Sequence, residues 1–427
     1  MLNKILTDIE NNRDELINGL QQLIELPSSD GGATPAQEFV RCALQSMGFE
    51  TECFREDDRA ARQADYCPYS FTYDEGAYNV AGRLKGEGTA PSLMLFGHID
   101  TEAETYFGTF DNPYRSSIKD GKIYGLGASD DKGGIAMMLY AVKYLKKHIP
   151  TLPYDLTVMS VMGKHGGGFG TLSALMKGYT GRHSIYLHPA ETGHGFAEIK
   201  NISLGVVDLD ITVDGAAGAP HDDLDTGVNA AVSAAYIATY LERFNRMARE
   251  KYRFDFGSFA GQPSFVLNIG NIAADGGYGT INRSACIKCR IRFFTPFSIE
   301  SAVAAVTEYV KQCCEEEGKV SFDAVHISKG AFRATPAMVE NDHPFVKLIE
   351  KNIGLVTGTE EFIHQYHGGS DIRLPMLYGS SCCVGIGPRC ELPAQGSGEM
   401  EWMSIDDYIS GVKILAGILY DYQSFIG

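Results

Sequence analysis

The chain of 427 residues is longer than one ordinary hydrophobic core supports, so its length predicts two domains. Its composition, with 44% hydrophobic and 21% charged residues, is that of a globular protein. The net charge of −17 argues against binding to nucleic acid or to an anionic membrane, and no apolar run is long enough to span a bilayer.

The cysteines and the first residues bear on the cellular compartment. Ten cysteines occur without a Cys-x-x-Cys pair, so we expect mostly buried thiols and not a disulfide framework. The first residues carry acidic side chains throughout and lack the apolar stretch of a secretory signal. We therefore expect a cytoplasmic protein that binds a small-molecule substrate, with neither nucleic acid nor membrane as a partner.

Helices and strands alternate in the first 200 residues. Apolar residues recur at helical spacing from Leu16 to Ile24, and Thr34-Pro35 opens a second helix that stops at Gly48. Strands are predicted at 78–84, 92–97, 156–162 and 184–187, with a helix at 133–147. This order predicts an α/β domain with a doubly wound, mostly parallel sheet.

The pattern changes near residue 200. Residues 204–213 alternate apolar and polar side chains, which is typical of an antiparallel strand with one solvated face. The elements that follow give a ferredoxin-like order: a helix at 228–249, strands at 264–269 and 285–294, a helix at 299–317 and a strand at 322–329. The α/β character then returns, with a strand at 382–386 and helices from 344 and 405. We predict a larger domain of residues 1–200 and 329–427, with a smaller α+β domain, 201–328, inserted into it.

Two segments carry residues suited to metal chemistry. An apolar strand ends in His98-Ile99-Asp100, and residues two apart share a face, so Asp100 can hydrogen-bond the imidazole of His98. In the second segment, GLGASDDKGG, glycines precede Asp130 and Asp131 at a helix start. An acidic helix cap is the simpler interpretation of that segment, and its spacing does not match a nucleotide-binding motif.

Together the two segments resemble a known family of metallopeptidases. GHIDTEAE followed by YGLGASDDKGGIAMM is similar to the aminoacylase, acetylornithine deacetylase and carboxypeptidase G family, peptidase family M20. GVNAAVSA, GGSDIR and GIGP extend the resemblance over nearly the whole chain. The resemblance implies a divergent zinc-dependent amidohydrolase whose inserted ferredoxin-like domain serves as a lid and forms a homodimer.

The resemblance also implies roles for single residues. His98 would bind one metal ion, Asp130 would bridge two, and Asp100 would orient His98, while the Asp130-Asp131 peptide bond would be cis. His221 would match, one residue out of register, the lid histidine that stabilises the oxyanion. Asn282 and Arg292 match an Asn before a lid strand and an Arg within it, and the positions expected to bind substrate are Asn282 and Arg373, the latter at the substrate carboxylate.

The chain departs from the family at the general base. The family has an Asp-Glu-Glu segment there, whose first Glu activates water and whose second Glu binds metal, whereas this chain has Gly163-Lys164-His165. A neutral lysine could act as a base or a nucleophile, and a nearby divalent metal ion would favour the neutral form. A lysine that faces solvent or pairs with an acid is at least as good an interpretation of Lys164.

Histidines replace carboxylates at two ligand positions. His165 takes the place of the second Glu, and His188 that of an acid after a strand, with Glu191 as a fallback ligand. A last family ligand, a histidine near the carboxyl terminus, has no counterpart. Three explanations stay open: Glu399 or Glu401 replaces it, His364 or His367 reaches in, or the second metal ion is absent.

The remaining donors favour one metal ion over two, because few carboxylates are left to balance two dications. His98, Asp130 and His188, with His165 nearby, suit zinc and also non-haem iron(II), and the family favours zinc. We expect hydrolysis of the amide bond of a small N-acyl amino acid or dipeptide-like carboxylate, with Lys164 as the candidate base. A lyase or isomerase, or a non-catalytic binding homologue, on the same scaffold are the alternatives.

Overall fold

The computed structural model describes residues 1–29, 32–67, 77–104, 111–164, 167–190, 192–216, 227–257, 259–276, 281–389 and 400–425. The chain forms two compact units. The first comprises Met1–Ile202, Met338–Tyr366 and Ser370–Gly427, and the second comprises Ser203–Ala337 and His367–Gly369. The sequence places the smaller domain at 201–328, so prediction and structure differ mainly at its second boundary.

The described residues form helices and strands that we number in chain order. The helices are α1 Leu2–Asn11, α2 Arg13–Ile24, α3 Thr34–Ser46, α4 Lys132–His148, α5 Phe169–Met176, α6 Ala230–Lys251, α7 Ile299–Glu317, α8 Pro344–Thr357, α9 Arg373–Tyr378 and α10 Ile405–Asp421. The strands are β1 Glu50–Phe54, β2 Asn79–Leu84, β3 Leu93–His98, β4 Ser117–Lys119, β5 Lys122–Tyr124, β6 Leu156–Val161, β7 His183–Leu187, β8 Glu198–Asp214, β9 Phe265–Ala274, β10 Ser284–Phe293, β11 Val325–Ala334, β12 Ala337–Met338, β13 Ile363–Gly368, β14 Cys382–Ile386 and β15 Trp402–Ser404.

The first unit has a mixed α/β fold around a large, mostly parallel sheet, as the sequence predicts. Its strands lie in the order β1-β2-β6-β3-β7-β14. The neighbours from β6 to β14 are parallel, whereas β1 and β2 join the edge in antiparallel fashion. The parallel strands therefore bring their carboxyl ends to one edge of the sheet, where ligands bind in open α/β folds.

Helices cover both faces of this sheet because its strands are apolar on both sides. In β3, Leu93 and Leu95 belong to the main core, which also includes residues of α3, α4 and α10. Met94 and Phe96 point to the opposite face and pack in a second cluster with Ala174 of α5. The period of two along one buried strand thus separates two cores.

Gly134, at the start of α4, lets this helix lie close to the sheet. A Cβ atom on Gly134 would lie 2.8 Å from the Cβ of Leu187 and 2.1 Å from the Asp131 carboxylate. Any larger residue would push the start of α4 away from β7. Because Asp130 lies two residues before the first residue of this helix, the close approach sets its position.

The second unit has a ferredoxin-like topology. Its elements follow the order β8-α6-β9-β10-α7-β11, and its antiparallel sheet has the strand order β11-β8-β10-β9. Val207, Leu209, Ile211 and Val213 are buried, as the alternation in the sequence predicts, and they pack with apolar residues of α6 and α7. The role of this unit as a lid stays a prediction.

Two further observations concern the compartment and the cysteines. Among the described residues, no helix combines the length and apolar character needed to cross a membrane. The nine cysteines in the described part of the chain are free thiols, and five of them are buried.

Candidate metal centre

Three adjacent parallel strands deliver chemically active side chains to the same edge of the sheet. His98 is the last residue of β3, His188 follows β7 directly, and Lys164 lies just beyond β6. The sheet order β6-β3-β7 makes these strands neighbours. The carboxyl ends of neighbouring parallel strands meet, which brings the three side chains together.

Asp130 reaches the same place from the start of α4. The Asp130-Asp131 peptide bond is cis, as the family resemblance implies. The Asp131 carboxylate accepts a hydrogen bond of 3.2 Å from the backbone N–H of His98. The loop before α4 is therefore joined directly to the end of β3.

Two imidazoles converge on one oxygen of the Asp130 carboxylate. Its Oδ1 lies 2.8 Å from Nε2 of His98 and 3.4 Å from Nε2 of His188. The ligand atoms of the three residues all lie within 4.8 Å of one another, and no other such group of three occurs among the described residues. Two imidazoles and one carboxylate in a buried cluster suit zinc, so the donor set fits the metal that the resemblance implies.

His98 is held by Asp100 on the side away from the cluster. Nδ1 of His98 lies 2.9 Å from the backbone oxygen of Asp100 and 3.5 Å from its Oδ1. A proton on Nδ1 that is donated there leaves the Nε2 lone pair directed at the cluster. Asp100 thus orients His98 mainly through its carbonyl oxygen, whereas the sequence pointed to the carboxylate.

A buried lysine holds His188. Nζ of Lys200, on β8, lies 3.0 Å from Nδ1 of His188 and 3.3 Å from its carbonyl oxygen, and it also donates to the carbonyl of Pro189. Nδ1 of His188 lies 3.2 Å from that same Pro189 oxygen. Lys200 was not predicted, because it lies among other polar residues at the start of β8 and only the fold shows that it is buried.

Lys164 pairs with Asp130. Its Nζ lies 3.2 Å from Oδ2, the oxygen that faces away from the two histidines. Burial by itself would lower the pKa of Lys164, but the Asp130 carboxylate outweighs it and holds that pKa well above its ordinary value. Burial would raise the pKa of Asp130, whereas Lys164 and the two histidines hold it well below its usual range. The acid-paired interpretation of Lys164 therefore describes this structure.

Glu401 supports the loop that carries Asp130. Its Oε1 accepts hydrogen bonds from the backbone N–H groups of Ser129 and Asp130, both 2.7 Å, and from the Ser129 hydroxyl, 2.9 Å. Its Oε2 accepts a bond of 2.7 Å from the Gly127 N–H. Both oxygens are engaged, so Glu401 organises the loop and does not replace the missing histidine ligand.

Comparison with known proteins identifies the family. The sequence profile of peptidase family M20/M25/M40 matches residues 94–421. The chain belongs to this family. Members of the M20 family hydrolyse amide and peptide bonds.

Two curated relatives and one solved structure illustrate the similarity. N-formyl-4-amino-5-aminomethyl-2-methylpyrimidine deformylase of Bacillus subtilis (strain 168) is 32% identical over 43% of this chain and 40% of the relative. Succinyl-diaminopimelate desuccinylase of Rhodopseudomonas palustris (strain BisA53) is 25% identical over 83% of this chain and 89% of the relative. The structure of a tripeptidase from Staphylococcus aureus subsp. aureus Mu50 has a TM-score of 0.73 at 18% identity, covering 97% and 99% of the two chains. The chain spans about two fifths of the length of the deformylases that it matches.

Arg373 of this M20 protein is buried and already paired. Its Nε lies 3.3 Å from Oδ1 of the buried Asp65, and its Nη1 donates to the carbonyl oxygen of Ser370 at 2.9 Å. A substrate carboxylate would have to compete with this ion pair. The substrate-binding role of Arg373 stays a prediction, to which its burial gives no support.

Other predicted site residues lie elsewhere or outside the described residues. Asn282 is half-buried in the second unit, where its carbonyl oxygen accepts a bond from Ala230, and Arg292 is exposed on β10. His364 pairs with Glu350 at 3.1 Å and is thereby engaged away from the cluster. Four predicted residues lie outside the described part of the chain: His165, Glu191, His221 and Glu399.

Proposed function

We propose that this M20 protein is a metal-dependent amidohydrolase that cleaves the amide bond of a small N-acyl amino acid or dipeptide-like carboxylate. The observation that carries the proposal is the convergence of two imidazoles on one carboxylate at the carboxyl edge of the sheet. The names of the relatives, a deformylase and a desuccinylase, support the removal of an acyl group from an amine.

The residues of the cluster have separate tasks in this proposal. His98, Asp130 and His188 would hold zinc, with His165 as a further donor. When bound, a zinc ion polarises the scissile carbonyl and lowers the pKa of a coordinated water molecule. Asp100 holds the ring of His98 from behind. Nδ1 of His188 lies 3.2 Å from the carbonyl oxygen of Pro189, to which Lys200 donates.

The groups that would contact substrate are proposed from the resemblance. His221 would stabilise the oxyanion of the tetrahedral intermediate. Asn282 and Arg373 would bind the substrate, Arg373 only if it exchanges Asp65 for the substrate carboxylate. The general base is not assigned. Lys164 is a candidate only if it leaves its pairing with Asp130, because a charged ammonium cannot accept a proton.

We also propose a homodimer formed by the second unit. Among the described residues, β9 is the last strand of its sheet and pairs only with β10. Ile272 on this strand is exposed, as are Val232 and Tyr236 on the neighbouring helix α6. An open strand edge beside exposed apolar side chains suits pairing with a second copy.

The function is tested with zinc-loaded and chelator-stripped protein on a panel of N-formyl, N-acetyl and N-succinyl amino acids and dipeptides. Release of a free amine is measured with an amine-reactive dye. The zinc-loaded protein should release amine, and His188→Ala should abolish the release. The matched control His326→Ala, which changes an exposed histidine that pairs with Asp214, should keep it.

Two results would contradict the proposal. A protein that binds zinc and releases amine from no compound of the panel would favour the non-catalytic homologue. A product that mass spectrometry shows to have gained no water would favour a lyase or an isomerase.

A further inference from the structure

The two oxygens of the Asp130 carboxylate face different partners. Oδ1 faces both candidate histidine ligands, 2.8 Å from His98 and 3.4 Å from His188. Oδ2 faces Nζ of Lys164 at 3.2 Å. A carboxylate that bridges two metal ions offers one oxygen to each ion, and here an ammonium group stands at the second oxygen.

Backbone hydrogen bonds hold the chain at Lys164. The backbone N–H of Gly167 donates to the Lys164 carbonyl at 3.0 Å, and that of Gly168 donates to the Gly163 carbonyl at 2.9 Å. Gly163 has a φ of 82°, and a Cβ atom there would lie 2.1 Å from the ring of Phe169. The turn therefore fixes where the lysine side chain starts, and the side chain is largely buried as it reaches Asp130.

Three further carboxylates of this region have hydrogen-bond partners of their own, while Asp100 and Glu102 add negative charge near Lys164. Asp131 accepts a hydrogen bond from the backbone of His98, and Asp371 accepts one of 2.6 Å from the Thr171 hydroxyl. The Glu401 carboxylate accepts hydrogen bonds from backbone N–H groups of the loop before α4. Asp130 is the one carboxylate in the ligand group found among the described residues, so a second dication at its Oδ2 would compete with Lys164.

We propose that the ammonium group of Lys164 takes the position of a second metal ion, so that this centre binds one divalent cation. This inference rests on the proposed metal centre. It adds a reason why that centre would bind one metal ion, where a dinuclear site binds two. The positive charge of Lys164 balances Asp130 from the side away from the histidines, where a second cation would otherwise bind.

The stoichiometry of zinc binding tests this inference. Full-length protein is stripped with chelator, dialysed against buffered zinc and measured by elemental analysis. The wild type should hold about one equivalent. Lys164→Glu replaces the cation with a carboxylate beside Asp130 and should raise the content to about two. The matched control Lys119→Glu, which makes the same charge change on the exposed strand β4, should hold the wild-type amount.

A second variant keeps the test decisive if Lys164→Glu disturbs the fold, which circular dichroism reports. Lys164→Met removes the charge without adding a ligand. It should bind its one zinc ion at least about tenfold more tightly, in competition with a chromogenic chelator, because a cation next to the ligand set is gone.

The outcomes separate this inference from the proposed function. Two equivalents in the wild type would overturn the inference and leave the hydrolase proposal intact. No zinc in the wild type would overturn the metal centre and the inference with it. A single equivalent in Lys164→Glu together with an unchanged affinity in Lys164→Met would overturn the inference alone.

Discussion

Replacing Glu401 should weaken both the fold and the metal centre, although Glu401 itself is not placed among the metal ligands. Its carboxylate accepts three backbone N–H groups, from Gly127, Ser129 and Asp130, and one hydroxyl. All four donors belong to the loop that positions Asp130. These bonds join residues that lie more than 270 positions apart in the sequence.

The size of the effect follows from the number of buried donors. Each buried N–H group left without an acceptor costs about 1–3 kcal/mol. Glu401→Ala orphans three of them, so the free energy of unfolding should fall by about 3–6 kcal/mol after some relaxation. Glu401→Gln keeps the Oε1 acceptor and sets an amide NH₂ against the Gly127 N–H, so it should lose only about 1–3 kcal/mol.

Urea unfolding and zinc competition measure the two consequences. Zinc affinity should fall by about 10–100-fold in Glu401→Ala, the usual effect of losing the support of a metal ligand. Glu361→Gln, on an exposed carboxylate, is the matched control and should change neither quantity. The reasoning is refuted if Glu401→Ala unfolds at the wild-type urea concentration and binds zinc as tightly as the wild type.

Three further predictions concern other parts of the molecule. Lys200→Met should lower the free energy of unfolding by about 1–3 kcal/mol and weaken zinc binding, because the carbonyl oxygens of His188 and Pro189 lose their buried donor; an unchanged urea midpoint would contradict this. Burial, together with the charge of nearby His343, lowers the pKa of His183 from 6.5 to about 4. The unfolded chain therefore binds this proton first, and the free energy of unfolding should fall by up to about 3 kcal/mol as the pH drops from 6.5 to 4. Urea unfolding across this range should show a smaller fall in His183→Gln, and an equal fall would exclude His183 as its source. Ile272→Asp should shift the protein from dimer to monomer in analytical ultracentrifugation, and a wild-type monomer would contradict the proposed interface.

Much of the fold could be predicted because its elements have clear periods. The alternation in β8 and the caps of α6 and α7 indicate the second unit without any tertiary information. The start of β8 was placed too late, because its first residues are buried on both sides and show no alternation. Helix α5 has no counterpart among the predicted elements, since nearly all of its residues are buried and it has no solvent-facing polar stripe.

The candidate site also has a part that could be predicted from the sequence and a part that could not. His98 ends a buried strand and could be proposed from the sequence pattern, whereas His188 and Asp130 were proposed from the family resemblance. The supports of these residues could not be predicted. Lys200 and Glu401 reach the cluster through contacts that depend on the folded chain, and neither lies in a motif with the residue that it holds.

The central claim is that His98, Asp130 and His188 together hold a divalent metal ion. A crystal of the zinc-loaded protein, measured at the zinc absorption edge, tests it most directly. We expect one anomalous peak bonded to Nε2 of both histidines and to Oδ1 of Asp130, at zinc–ligand distances of about 2.0–2.2 Å. A zinc peak elsewhere, with no density between these three side chains, would contradict it.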